Sequence, residues 1–297
     1  QLTAPIHASN NRLTRSELLL LAHLLGDGCV LPRQPIHYTS ADEENVAAVE
    51  DAAHTLFDII PRRVRQKNWW HAYLPSPYRL THGVRHPITK WFAELGIAPV
   101  RSYEKHVPEK VFMGNDEDIA FFLHHLWATD GNISRKLLPG RKPAASIYYS
   151  TSSPLLARDV QHLLLRLGIW SSVRAVPQGK HHPNYCVYVQ SAPVQKEFLE
   201  KVGCFGARGH IVPRLIRDLD RIAPSPNTDT VPRDVWDLFV RSAKNDAHMS
   251  WRDLSTALGV SYNGSATQQS GVSRARLVTL AKTLSSEPLR HLAESDV

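Results

Sequence analysis

Two helix-like stretches of this sequence end in aspartate followed by glycine, at Asp27-Gly28 and Asp130-Gly131, 103 residues apart. An aspartate at the C-terminal end of a helix faces the negative pole of the helix dipole and gains nothing from it. One such pair reads as an ordinary turn after a helix; two in matched context call for another use. Carboxylates delivered by two helices can together hold divalent cations, and hard oxygen ligands suit Mg²⁺. Small residues near the same helix ends, Ala22 and Gly26 in the first stretch and Ala128 and Thr129 in the second, let two backbones approach and bring the aspartates together. His125 stands where the first stretch has Ala22, which predicts a looser or asymmetric crossing.

The elements that must position these acids come in a repeated order. A helix over residues 18–26, begun after Thr14 or Ser16, is followed by strands at 29–31 and 36–39. Asp42 caps a second helix with Val46, Val49, Ala53, Leu56 and Phe57 on one side. Strands at 62–67 and 70–74 and a short helix at 87–95 complete the unit. The order returns as a helix at 116–129, a strand at 144–150, a helix at 153–167, strands at 173–176 and 185–190, and a helix at 194–202. Val107-Pro108 and Val212-Pro213 lie 105 residues apart, nearly the offset of the Asp-Gly pairs, so the chain reads as a duplication of about 100 residues. After a Pro, Ser and Asn-rich linker at 223–230 comes a helical region, with helices at 233–243, 251–258 and 273–284. The expected divisions are 1–106, 107–223 and 224–297.

Charge locates the expected partner. The 297 residues carry 35 Lys and Arg against 28 Asp and Glu. Residues 224–297 are balanced at eight of each, so the whole excess of +7 lies in the duplicated part, where a polyanion would bind. The longest apolar stretch, residues 18–25, is too short for a bilayer and contains His23, which argues against a membrane. The first residues lack the pattern of a secretory signal. Cys29, Cys186 and Cys204 are odd in number and have no CxxC spacing, which fits an intracellular setting, cytoplasmic or nucleoid-associated.

At Leu20–Gly28 (LLAHLLGDG) and Leu123–Gly131 (LHHLWATDG) the sequence resembles the two nine-residue motifs of the LAGLIDADG homing endonucleases, specifically the two-motif endonuclease domain found in inteins. Lys105, Val107 and Pro108 match the family's lysine and hydrophobic-Pro run; His210, Val212 and Pro213 match its second copy, with histidine where lysine is common. The resemblance spans residues 14–223. It implies an α+β fold, a pseudo-symmetric duplicated αββαββα unit whose two antiparallel sheets form a DNA-binding saddle, plus the helical C-terminal region. It implies a metal-dependent double-strand cut in a long asymmetric DNA site. Asp27 and Asp130 would be the catalytic acids and, with Gly26 and Thr129, would bind Mg²⁺, Mn²⁺ serving as a substitute. Lys105 and His210 would stand beside the scissile phosphates. A histidine, with an ordinary pKa near 6.5, would be a weaker electrostatic aid than lysine. Both motifs in one chain imply a monomer. The alternative is a catalytically inactive, sequence-specific DNA-binding protein derived from the same fold.

Contacts to double-stranded DNA are expected from strands. Arg63, Arg65 and Lys67 alternate and would share one strand face, with Arg33, Gln34 and His37 forming another. In the second repeat, Arg135, Lys136, Arg141 and Lys142 flank one turn, and Arg174, Lys180 and His182 flank another. Arg274 and Arg276 open the last expected helix of a faintly helix-turn-helix-like tail, whose long spacer favours a supporting bundle. An intein starts with Cys or Ser and ends in His-Asn before a nucleophile. With Gln1 and Val297 at its ends, this chain is expected to be an endonuclease region that does not splice by itself.

Overall fold

The computed structural model describes residues 12–136, 144–222 and 230–295. They fall into two compact units divided after Ile222. Each repeat of the first unit places four antiparallel strands beside helices that cover one sheet face.

The first repeat begins with α1 (Arg15–Asp27), held at its start by a reciprocal cap: Thr14 Oγ1 accepts from Glu17 N–H at 3.3 Å, and Glu17 Oε2 accepts from Thr14 N–H at 2.8 Å. Leu18, Leu20, Leu21, Ala22, His23, Leu24 and Leu25 are all buried, so α1 is enclosed on nearly every side. It continues one residue beyond the expected glycine stop and delivers Asp27 as its last residue. Then come β1 (Gly28–Cys29), β2 (His37–Ser40), α2 (Glu43–Phe57), capped by Asp42 as expected, β3 (Arg62–Arg65), β4 (Trp70–Tyr73) and α3 (Pro87–Glu94). The strands pair antiparallel in the order β1-β2-β4-β3.

A short α4 (Glu109–Phe112) leads into the second repeat: α5 (Asp116–Asp130), β5 (Gly131–Lys136), β6 (Ala144–Thr151), α6 (Pro154–Arg166), β7 (Ser171–Gln178), β8 (His181–Val189) and α7 (Ala192–Lys201). Strand β5 is an addition to the sequence reading. Its order, β5-β6-β8-β7, reproduces that of the first sheet. A 3₁₀ turn over Ala207–Ile211 and helix α8 (Val212–Leu219) close the unit. Helices α1 and α5 pack together at its centre, and Leu20, Leu21, Phe122, Leu123, Leu126 and Trp127 lie in one continuous core.

The second unit has its own core of Val235, Trp236, Val240, Leu254, Leu277 and Leu280, among others. A π-helical turn (Trp236–Val240) runs into α9 (Arg241–Asp246). The two-residue strands β9 (Thr230–Val231) and β10 (Val272–Ser273) pair, and α10 (Trp251–Ala257), α11 (Arg274–Thr283) and α12 (Glu287–Glu294) complete the bundle. The ribbon and α12 were not foreseen, because two-residue strands leave no periodic signal. Most of the expected linker, residues 223–229, lies outside the described residues. Among the described residues no helix is long and apolar enough to cross a membrane.

Candidate active site

Asp27 and Asp130 end the two central helices, and close approach of those helices brings them into electrostatic contact. Gly26 makes the approach possible. Its motif counterpart is Thr129, and a Cβ added to Gly26 would lie 2.1 Å from Thr129 Oγ1 and 2.4 Å from its Cβ. Enclosure by protein, with the Asp130 charge next in weight, pushes the Asp27 carboxyl up to about 7. Enclosure also raises the Asp130 carboxyl. Lys105 and Arg208 oppose both shifts.

These two cations hold equivalent positions. Lys105 Nζ donates to the carbonyls of Gly26 at 2.9 Å, Gly28 at 3.2 Å and Leu24 at 3.5 Å, across the C-terminal end of α1. Arg208 Nη1 donates to the carbonyls of Thr129 at 2.9 Å, Trp127 at 3.0 Å and Ala128 at 3.3 Å, across the end of α5. Each cation thus meets the negative pole of a helix, and both act on both aspartates, Lys105 the more strongly. His210 is placed differently. Its side chain is 71% exposed, Nε2 lies 3.4 Å from Glu44 Oε1, and it is absent from the charges acting on either aspartate. The family resemblance pointed to His210, but the 3₁₀ turn over 207–211 leaves it exposed and places Arg208 on the α5 carbonyls.

Below the aspartates, the helices are joined by a buried polar chain. His23 Nδ1 is 2.9 Å from Tyr38 Oη, and His23 Nε2 is 3.1 Å from His125 Nδ1. Burial lowers the His23 imidazole to about 3 and the His125 imidazole to about 2, so both are neutral. His125, the motif counterpart of Ala22, is thus a hydrogen-bonding partner of His23 between the two helices.

Among the described residues no group of three or more His, Cys, Asp and Glu converges. The available donors are therefore two carboxylates and the carbonyls of Gly26 and Thr129, each of which already accepts one hydrogen bond and retains a second lone pair. Mg²⁺ is commonly bound by one or two carboxylates with water and phosphate oxygens, so this donor set fits it. A cleft of about 480 Å³ opens beside Asp27, lined also by Asp42, Asn45, Thr129 and Arg208 among others. A larger hollow of about 1320 Å³, lined by Arg33, Arg62 and Arg85 among others, lies between residues 30–36 and 73–99 and contains neither aspartate.

Strand register sorts the expected DNA-contacting residues. Tyr38, Ala72 and Arg63 lie directly across from one another, and Tyr38 and Ala72 are fully buried, so Arg63 is on the helix-covered side. There it pairs with Glu50 at 2.5 Å, and Arg65 lies over Trp70 on the same side. The opposite face presents His37, Thr39, His71, Tyr73 and Arg62, a residue the alternation argument passed over. Arg33 and Gln34 are exposed in the turn before β2, and Lys67 is exposed after β3.

In the second sheet, Arg135 shares the buried parity of Ile133 and pairs with Asp218 at 2.5 Å. Lys136 is exposed at the end of β5, with Asn132, Ser134, Tyr148, Tyr188 and Arg174 on the outer face. Arg174 lies 5.6 Å above the Tyr188 ring. Lys180 is exposed at the β7–β8 turn, and His182 stacks on Tyr103 with centroids 4.4 Å apart. Arg141 and Lys142 lie outside the described residues. Arg274 donates to the carbonyl of Leu292 at 3.1 Å at the end of α12. Arg276 is half-buried beside Trp236 and Trp251. Arg274 is engaged within the helical bundle, and Arg276 Nε is buried there without a hydrogen-bond partner among the described residues.

Two αββαββα repeats, central helices crossing at Gly26 and Thr129, and an aspartate at each helix end make up the first unit. The LAGLIDADG-like domain family matches residues 117–203. The first repeat has the same strand order as this matched second repeat. Over 294 residues it is 42% identical to the replicative DNA helicase DnaB of Rhodothermus marinus, covering 98% of this chain and 31% of that protein. It is 39% identical over 289 residues to DnaB of a Nostoc species, covering 96% and 33%. The chain thus spans about a third of the length of the curated relatives it matches. Among solved structures, the homing endonuclease I-DmoI in complex with DNA and Mn is similar at a TM-score of 0.44 and 13% identity, over 63% of this chain and 96% of that one. The N-terminal LAGLIDADG domain of DUF199/WhiA is similar at 0.41 and 10%, over 70% and 91%.

Proposed function

We propose that this chain is a site-specific DNA endonuclease region that makes a double-strand cut in a long asymmetric DNA site. The observation that carries the reading is the matched pair of half-sites. Each has an aspartate at the end of a central helix and a cation seated on that helix's last carbonyls, Lys105 with Asp27 and Arg208 with Asp130.

Asp27 and Asp130, with the Gly26 and Thr129 carbonyls, would hold Mg²⁺ or Mn²⁺. When bound, the cation would activate water and stabilise the leaving oxygen. Lys105 and Arg208 would stabilise charge developing on the two scissile phosphates. Arg62, His37, Arg174 and Lys136, together with the exposed turn residues Arg33, Gln34, Lys67 and Lys180, would contact a DNA duplex lying along the saddle of the two sheets. One chain supplies both aspartates, so it would act as a monomer, in the intracellular setting where its DNA resides.

The replicative-helicase relatives are about three times as long, and this sequence contains no GxxxxGK[ST] phosphate loop. We infer that the segment is an intein-type endonuclease insert in a helicase of the DnaB kind. The uninterrupted coding sequence of that helicase is then the first DNA to try. Incubation of this DNA with the protein, with and without Mg²⁺, tests the reading. A double-strand cut with Mg²⁺ that is abolished in Asp27→Asn and Asp130→Asn, while gel-shift binding persists, supports it. Undiminished cutting by either variant would remove its aspartate from the reaction.

A further inference from the structure

Neither cation-bearing segment is held by its own repeat alone. The backbone N–H of Ala207, next to Arg208, donates to Asp42 Oδ2 at 2.7 Å, and Asp42 belongs to the start of α2 in the first repeat. Three residues along, Asn45 Nδ2 donates to the Ala128 carbonyl at 3.2 Å. Gly206 has a φ of +73°, and a Cβ there would stand 2.4 Å from Asp42 Oδ2 and 2.6 Å from Asn45 Oδ1. The converse arrangement holds Lys105. Ser153 Oγ, at the start of α6 in the second repeat, donates to the Lys105 carbonyl at 2.5 Å, and Asp159 Oδ2 accepts from Val107 N–H at 2.8 Å. Helices α2 and α6 occupy the same place in their repeats, and each reaches across to the other repeat's cation.

We propose that Asp42 is a positioning residue for Arg208, so that the first repeat sets the cation of the second repeat's half-site. Ser153 does the converse for Lys105. The inference rests on the endonuclease reading for its catalytic consequence, but not for its geometry. An arginine side chain has many rotamers, and its reach onto three carbonyls depends on where its backbone is anchored. Asp42 supplies that anchor with one oxygen while its other oxygen, Oδ1, accepts from Glu44 N–H at 3.0 Å and caps α2. Serine caps a helix about as well as aspartate but has a single side-chain oxygen. Asp42→Ser therefore keeps the cap and releases the Arg208 segment.

The test has two arms. Single-turnover cleavage of strand-labelled DNA with Mg²⁺ is measured for the wild type, Asp42→Ser, Arg208→Ala and the double variant. Asp42→Ser slows one strand at least about tenfold, the same strand that Arg208→Ala slows, and a nicked product accumulates. DNA binding stays within about twofold, and the double variant is no slower than Arg208→Ala alone, as for two residues acting through one contact. Unchanged strand rates in Asp42→Ser, or additive losses in the double variant, overturn the proposal. In the second arm, amide hydrogen exchange across residues 203–211 rises at least about tenfold in Asp42→Ser while that of α1 is unchanged; unaltered exchange in the segment also overturns it. A wild type that cuts no DNA sinks the endonuclease reading and the catalytic consequence together, whereas the exchange arm still decides whether Asp42 holds the Arg208 segment.

Discussion

Gly26 and Thr129 occupy the same position in the two motif helices and meet at the crossing, so closely that a Cβ on Gly26 would overlap both Oγ1 and Cβ of Thr129. The contact is one-sided. Glycine on α1 makes the room that the threonine on α5 fills, and Thr129 Oγ1 donates back to the Leu126 carbonyl at 2.6 Å. That approach sets Asp27 against Asp130.

Gly26→Ala is accordingly expected to destabilise the protein by about 1–3 kcal/mol through overpacking. Thr129→Ala should not rescue it, because the Thr129 Cβ is itself 2.4 Å from the added carbon, whereas Thr129→Gly should recover part of the loss. Urea unfolding of the single and double variants measures this. Equal rescue by alanine and glycine would contradict the crossing geometry.

The buried imidazoles make stability depend on acid. His23 and His125 titrate near 3 and 2 when folded and near 6.5 when unfolded, so the unfolded chain takes up their protons first. Their contribution is full above pH 6.5 and is lost as pH falls towards 3. His125→Leu should flatten the fall of unfolding free energy between pH 6 and 4 by up to about 1.4 kcal/mol per pH unit relative to wild type. Asp27 acts with the opposite sign: its folded pKa is raised, so its contribution is present below pH 4 and lost as pH rises through about 7. Asp27→Asn should thus be more stable than wild type at pH 8, with the gain fading towards pH 4. Chemical denaturation at several pH values checks both slopes.

Arg208→Ala is expected to slow one strand's cut by about 10²–10³-fold, comparable to losing a charge-stabilising donor. His210→Ala should leave both strands within about twofold, since the His210 side chain is exposed, lies beside Glu44 and does not act on either aspartate. Strand-labelled single-turnover assays separate the two. A nick that accumulates in His210→Ala but not in Arg208→Ala would reverse the assignment.

For DNA binding, Arg62→Ala should weaken affinity and reduce the slope of log K against log salt by about 1, as expected for one lost phosphate contact. Arg63→Ala should leave that slope unchanged and lower stability instead, because Arg63 faces α2 and pairs with Glu50. Salt titrations of affinity, paired with urea unfolding, distinguish these outcomes.

The local grammar of this fold was legible in the chain. Asp42 announced the cap of α2, and the recurrence of Asp-Gly and Val-Pro at nearly one offset announced the duplication. These signals act over a few residues, or repeat, and so survive in one dimension. Tertiary structure decided what depended on meetings across the chain. Alternation placed Arg63 and Arg65 on one strand face but could not say that α2 covers that face; Arg62 took the open side. Likeness to the family's lysine and hydrophobic-Pro run selected His210, but a 3₁₀ turn and the grip of Asp42, 165 residues away, turned Arg208 inward instead. The sequence determined by itself most of the longer elements and that two carboxylates end two helices. Only packing decided which cations reach them, because a hydrogen bond between distant residues exists only once the intervening core has set their separation.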